Sequence, residues 1–169
     1  MSVAPLRIVS AGTERVDEVE PLWLAMHEVH VGAGPQAAEV RPFRAPAETW
    51  RRRRQVYERL LSDAGDGHLL LAEQDGVICG YAVLAFSAGQ ASIATGDRVA
   101  ELESLSVLPD FRGRGIGSAL MGEVRALATA AGAREMTLAV MNGNDSALRF
   151  YSRHGMRPYV TLLLGALDA

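Results

Sequence analysis

Arg112-Gly113-Arg114-Gly115-Ile116-Gly117 lies between the apolar run Leu102–Val107 and the helix-like stretch Ser118–Ala131, and it decides how this chain folds. A strand that breaks into a glycine-rich turn and then opens a helix leaves several backbone N–H groups without acceptors at the helix N-terminus. Those donors and the positive end of the helix dipole form a site for phosphate. Arg112 and Arg114 add fixed positive charge, and guanidinium groups match phosphate oxygens well. A phosphorylated ligand is therefore expected here.

The glycine spacing narrows the choice. A dinucleotide-binding G-x-G-x-x-G starting at Gly113 or Gly115 would need its last glycine at Ser118 or Leu120, and no acidic residue caps a following strand at the ribose position. A P-loop needs Lys and then Ser/Thr after its last glycine, whereas Gly117 is followed by Ser118 and Ala119. The pattern that fits is R-x-x-G-x-G, carried by Arg112, Gly115 and Gly117. It resembles the pyrophosphate-binding signature of the GNAT superfamily of acetyl-CoA-dependent N-acetyltransferases. The preceding Glu101–Phe111 is similar to that family's fourth strand and the turn leading into the loop. A second segment, Asn144 to Met156, resembles N-x-x-A-x-x-F-Y-x-x-x-G-F, with Asn144, Ala147, Phe150, Tyr151 and Gly155 in place and Met156 for the final Phe.

Working outward, the chain reads β-α-α-β-β-β-α-β-α-β. Leu6–Val9 suits a first strand. Val16, Val19, Leu22, Trp23, Met26 and Val29 recur at helical spacing, with Pro21 marking a kink or a true helix start. Residues 31–47 read as a long loop, and a second helix carries Trp50, Val56, Tyr57, Leu60 and Leu61. His68–Glu73 and Val77–Phe86 are strands joined at Asp75-Gly76, a hairpin signal. Val99–Val107 and Glu135–Val140 are further strands, Asp145–His154 a short helix, and Met156–Leu167 one last strand in place of the family's usual closing pair. This is an α/β (α+β mixed) order, expected to give a GNAT-like, mostly antiparallel mixed sheet with helices on both faces. Residues 1–169 are expected to form one such domain.

Composition sets outer bounds. The 169 residues are 49% hydrophobic and 22% charged with net charge −3, ordinary for a globular chain and no basis for nucleic-acid binding. Met1–Ser10 is too short and polar for a signal peptide, and no apolar run would span a membrane. A single cysteine, Cys79, suits a reducing compartment, so a cytoplasmic location is expected. Arg51–Arg54 read as a solvated helix face, with Glu58 placed to pair with Arg54. His27 and His30 lack a third ligand in pattern and read as helix residues; no metal is expected.

The resemblance implies acetyl-CoA as cosubstrate, a small-molecule or peptide amine as acceptor, neither nucleic acid nor membrane as partner, and, by family habit, a homodimer. It carries coenzyme contacts to Leu105, Ser106 and Val107, to Arg112, Gly113, Arg114, Gly115, Ile116, Gly117 and Ser118, and to Asn144, Ala147 and Tyr151. Leu105 N–H would face the thioester oxygen at a strand bulge, and Val107 would pair with pantetheine. Tyr151 would protonate the departing thiolate, since a phenol's pKa of about 10 lies close above a thiol's of about 8.5. An alkylamine, with a pKa near 10.4, must lose a proton to attack. Glu103, nearer the thioester end, is preferred as the base, with Glu101 the alternative two residues earlier. Both could instead merely solvate the strand. Glu101, Glu103 and Asp97 hint at a cationic acceptor, and the loop 31–47, the segment Ser87–Arg98 and the last strand are expected to line its pocket. A non-catalytic acyl-CoA-binding module on the same scaffold is the competing reading.

Overall fold

A computed structural model describes residues 4–34, 38–62, 64–89, 92–94 and 96–167. Residues 1–3 of the N-terminal segment, 35–37 of the first loop and 90, 91 and 95 of the second lie outside the described residues. One five-stranded sheet in the order β1-β2-β3-β4-β5 organises the chain: β1 Arg7–Ala11, β2 His68–Gln74, β3 Val77–Ser87, β4 Val99–Val107 and β5 Met136–Thr137. The first four strands pair antiparallel, and β5 alone runs parallel to its neighbour β4. The β2–β3 hairpin turns at Asp75 and Gly76, whose φ values of 52° and 77° match the twist of the flanking strands.

Helices cover both faces, as the sequence pattern requires. A 3-10 turn, Thr13–Val19, leads into α1, Glu20–Ala33; Pro21 falls in the first turn, so the helix starts there without a kink. With α2, Pro46–Leu60, it buries Leu22, Trp23, Trp50 and Tyr57 against Leu69, Leu71, Tyr81 and Val83. On the other face α3, Ile116–Ala130, seats Ile116, Leu120, Met121 and Val124 on Leu70, Ala82, Leu84, Ala100 and Leu102. The last helix, α4, is Asp145–Arg153. Among the described residues no helix is long and apolar enough to cross a membrane.

Two expectations need correction at the C-terminal side. The strand predicted over Glu135–Val140 is ordered as sheet only at Met136–Thr137, through the pairs Ala100↔Met136 and Glu101↔Thr137. The chain then turns away from β4. The final strand predicted over Met156–Leu167 does not form: these residues carry no regular structure, and Leu162, Leu163 and Leu167 are 87%, 88% and 96% exposed. A strand needs a neighbour for its N–H and C=O groups, and a β-favouring composition cannot supply one.

Candidate active site

The parting of β4 and β5 creates the site. A cavity of about 500 Å³ opens where they separate, walled by β4 from Leu102 to Val107, the glycine loop, Ala139–Met141, the face of α4 and part of α1. The register across β3 and β4 shifts between Val83↔Ser104 and Leu84↔Leu102, so Glu103 is an extra residue in β4. Such a bulge reverses which backbone groups face which neighbour. Ala100 N–H donates to Glu135 O, on the β5 side, and Leu108 N–H donates to Cys79 O, on the β3 side. By the alternation of an antiparallel ladder, Ser104 and Ser106 then address β3, whereas Leu105 and Val107 direct their N–H and C=O groups into the cleft. The sequence held a signal for this: apolar residues step by two at Ala100 and Leu102, by three to Leu105, and by two again to Val107.

Side chains from three elements hold the bulge. Ser104 Oγ donates to Glu103 O at 2.7 Å and accepts from Tyr57 OH at 2.6 Å; Tyr81 OH lies 2.9 Å from Tyr57 OH. A hydroxyl has one proton, so Tyr57 gives its proton to Ser104 and Tyr81 donates to Tyr57. Burial pushes Tyr57 up to about 12 and Tyr81 well above its usual value, keeping both neutral. Ser106 Oγ donates to Leu22 O at 2.9 Å, tying β4 to α1.

At one end of the cleft, Gly113 and Gly115 take φ values of 76° and 82°, the left-handed region where other residues are strained. Gly115 caps α3, whose first backbone bond runs from Ala119 N–H to Gly115 O, leaving the N–H groups of Ile116, Gly117 and Ser118 without helical acceptors. Gly117 serves a different purpose: a Cβ there would lie 3.3 Å from the Phe150 ring, so its absence lets α4 close against α3. Arg112 lines the cavity, with its Nε donating to Val107 O at 3.1 Å. Arg114 does not line it. Its guanidinium donates to Asp110 O at 2.8 Å and sits 5.1 Å from the Phe111 ring centre. A cation that sequence reasoning missed, Arg153 of α4, lines the cavity instead. The free N–H groups, the left-handed turn and the cations Arg112 and Arg153 fit a pyrophosphate. The open N–H and C=O of Leu105 and the N–H of Val107 fit a chain of amides such as pantetheine.

At the other end, Asn144 caps α4 by accepting from Ala147 N–H at 3.1 Å, and both line the cavity. Tyr151 stands one turn further along in the same wall. Burial lifts its phenol to about 12, and its hydroxyl has no protein partner among the described residues. Glu103 also lines the cavity, with its carboxylate 3.4 Å from Arg53. Glu101 pairs with Ala85 and Thr137 in the sheet and does not line it; Asp97 is exposed.

Arg53 departs from the expected solvated face. Arg54 pairs outward with Asp17 and Glu58, but Arg53 turns inward over Trp23, 4.3 Å from its ring centre. Its position marks it in retrospect, since it lies three residues after Trp50 and four before Tyr57, on the apolar stripe of α2. His30 also reaches the cavity wall, and burial, with His27 and Arg53 nearby, lowers its pKa, so the ring is neutral at neutral pH. His27 is buried, with Nε2 3.1 Å from Arg44 O. Cys79 is buried in the sheet with its thiol on Ala72 O at 3.2 Å, and burial raises its pKa.

Comparison with known proteins agrees with this architecture. Residues 24–156 match the profile of the Acetyltransferase (GNAT) family. The chain belongs to that family. An uncharacterized N-acetyltransferase of Mycobacterium tuberculosis is 39% identical over 89 residues, 53% of this chain and 52% of the relative. One from Archaeoglobus fulgidus is 36% identical over 101 residues, 60% of this chain and 67% of the relative. The chain thus spans about half the length of the mycobacterial relatives it matches. Among solved structures, an aminoglycoside N-acetyltransferase AAC(6')-Iy in complex with CoA has a TM-score of 0.70 at 18% identity, covering 100% of this chain and 98% of that one. A GCN5-related N-acetyltransferase from Ralstonia eutropha has a TM-score of 0.74 at 19% identity, covering 95% and 98%. These likenesses establish the fold.

Proposed function

We propose that this chain is an N-acetyltransferase that moves an acetyl group from acetyl-CoA to a primary amine by direct attack in a ternary complex. The observation that carries the proposal is the parting of β4 from β5 at the Glu103 bulge. It presents unpaired backbone donors between an anion-binding loop and a wall bearing Tyr151, Glu103 and His30. Acetyl-CoA supplies the activated thioester. The chain supplies placement: the α3 N-terminus, Arg112 and Arg153 hold the pyrophosphate, and β4 accepts pantetheine like an added strand. Leu105 N–H, fixed by the bulge, is aimed at charge developing on the acyl oxygen. Tyr151, protonated through the physiological range, donates to the leaving sulfur.

Glu103 is the first candidate for taking the amine proton, with Arg53 setting its position. A second reading gives this task to His30, because its neutral ring lines the same wall. The neighbourhood of Arg53 weakens the case for a highly cationic acceptor; a small-molecule or peptide amine remains the substrate class, with neither nucleic acid nor membrane as partner. The one buried thiol agrees with a cytoplasmic setting. The deciding experiment measures free thiol release from acetyl-CoA across a panel of amines, beside thermal shifts with acetyl-CoA, NAD and ATP. Stabilisation by acetyl-CoA alone together with turnover supports the enzyme. Stabilisation without turnover on any amine makes it a silent acyl-CoA binder.

A further inference from the structure

The arginines of α2 are not equally satisfied. Arg52 meets Glu48 at 3.0 Å, and Arg54 meets Asp17 at 2.6 Å and Glu58 at 3.2 Å. Arg53 is the one that lines the cavity, with its guanidinium 4.3 Å from the Trp23 ring centre and 5.6 Å from that of Tyr57. Its contact with Glu103, at 3.4 Å, is the longest ion pair among the described residues, and it is the only hydrogen bond Arg53 makes among them. Stacking occupies the faces of a guanidinium and leaves its in-plane fork of N–H donors free. The Glu103 carboxylate likewise has Arg53 as its only side-chain partner among the described residues. Both side chains stay partly open, 26% and 29% exposed, so a molecule in the cavity can reach either charge. Met26 and Val29 of α1 add apolar surface to the same wall.

We infer that this half-met pair receives the acceptor, and that the acceptor is a free α-amino acid with an apolar side chain. The inference rests on the acetyltransferase reading above and narrows its amine to one class. An α-amino acid carries an ammonium and a carboxylate on a single carbon, and Arg53 with Glu103 presents the opposite charges side by side. The guanidinium fork takes the carboxylate, Glu103 takes the ammonium, and Met26 and Val29 receive the side chain. A phosphorylated amine would instead set a second negative charge against Glu103. Glu103 lies two residues before Leu105, whose N–H is aimed at the acyl oxygen, so an amine held at Glu103 stands beside the thioester. Glu103 takes one proton from the ammonium. The nitrogen lone pair then bonds the acyl carbon as the C–S bond breaks. The sulfur takes a proton from Tyr151, and the second proton shed by the nitrogen restores the phenol. The products are an N-acetyl amino acid, the free CoA thiol and one proton.

The test compares L-leucine with L-leucinamide, which loses the carboxylate charge, and with 6-aminohexanoate, which moves it away from the amine. Thiol release from acetyl-CoA should favour L-leucine over each by about 10- to 100-fold in kcat/KM, the range expected for hydrogen bonds to a charged group. Calorimetry on the chain saturated with CoA should show the same order of binding without turnover. Arg53→Gln should bring the ratio of L-leucine to L-leucinamide close to one. Arg53→Lys, which keeps the charge and loses the fork, should leave a ratio between the two. Each ratio is taken within one protein, so a general loss of activity cancels, and the comparison on the unmodified chain stands without any variant. Equal or better use of L-leucinamide or 6-aminohexanoate overturns the inference and leaves the enzyme standing. So does a preference for L-leucine that survives Arg53→Gln. Absence of turnover on every amine removes the acetyltransferase reading and the inference together.

Discussion

Tyr57→Phe tests whether the buried hydroxyl network sets the geometry of the cleft. The substitution removes one oxygen from a fully buried side chain and leaves no cavity large enough to matter. Two hydrogen bonds go, at 2.6 Å to Ser104 and 2.9 Å to Tyr81. Ser104 keeps its bond to Glu103 O, but the Tyr81 hydroxyl is stranded with no acceptor. An orphaned buried hydroxyl costs about 1–3 kcal/mol, which at this chain size lowers the melting temperature by roughly 2–4 °C for each kcal/mol. Loosening the bulge also displaces Leu105 N–H. A misplacement of 1 Å costs on the order of 100-fold in rate, so a partial shift should lower kcat by about 10-fold. KM for acetyl-CoA should hold, because the glycine loop is untouched. Calorimetry and thiol-release kinetics measure both effects. Tyr57→Phe combined with Tyr81→Phe removes the stranded donor and should recover most of the stability and none of the rate. If stability falls while kcat stays at its wild-type value, the network does not position the bulge and the reasoning fails.

Further outcomes follow from the same geometry. Tyr151→Phe should reduce kcat on the order of 100-fold with little change in KM for acetyl-CoA, and a variant with full kcat would remove Tyr151 from the proton path. Gly115→Ala meets no atom within 4 Å but sits at φ 82°, so its cost of about 1–2 kcal/mol is backbone strain alone and should appear in urea denaturation. Gly117→Ala, with its Cβ 3.3 Å from Phe150, should instead weaken acetyl-CoA binding by forcing α4 away from the loop. Glu103→Gln and His30→Gln, assayed separately, should assign the base: the variant that loses kcat and alters its pH profile identifies it, whereas Glu101→Gln should leave both unchanged. Alkali should expose the buried phenols. Tyr57 and Tyr151 ionise near 12 in the fold and near 10 when unfolded, so the unfolded chain binds fewer protons above pH 10. The phenols' contribution to stability is therefore constant below pH 10 and is lost between pH 10 and 12; a flat profile across that window would contradict the burial of these rings.

Much of the fold lies in local pattern. The β4 bounds at Val99 and Val107, the start of α3 after the glycine loop and the turn at Asp75-Gly76 follow from periodicity and turn chemistry, which act over a few residues. The readings that changed depend on distant partners. Glu135–Val140 has strand-like composition, but only the parting of β4 and β5 decides how many of its residues pair. Arg53 looks like three other arginines until α2 docks and turns it over Trp23. Arg114 belongs to the glycine motif by spacing, yet Phe111 and Asp110 O hold its guanidinium beside the turn. Charge type is written in the chain; the direction in which a long side chain points is set by what packs around it.

The extra residue in β4 separates two properties that an ordinary strand would couple. The backbone phase that aims Leu105 N–H depends on the bulge taking up one residue between Leu102 and Ser104, not on which side chain occupies position 103. Position 103 can therefore change its chemistry toward the acceptor without retuning the groups that face the acyl oxygen. Deleting that residue would close the bulge and make Leu84↔Leu102 and Val83↔Ser104 consecutive pairs. The outward phase of Leu105 and Val107 would stand, and what the cleft would lose is the side chain that Glu103 brings to it.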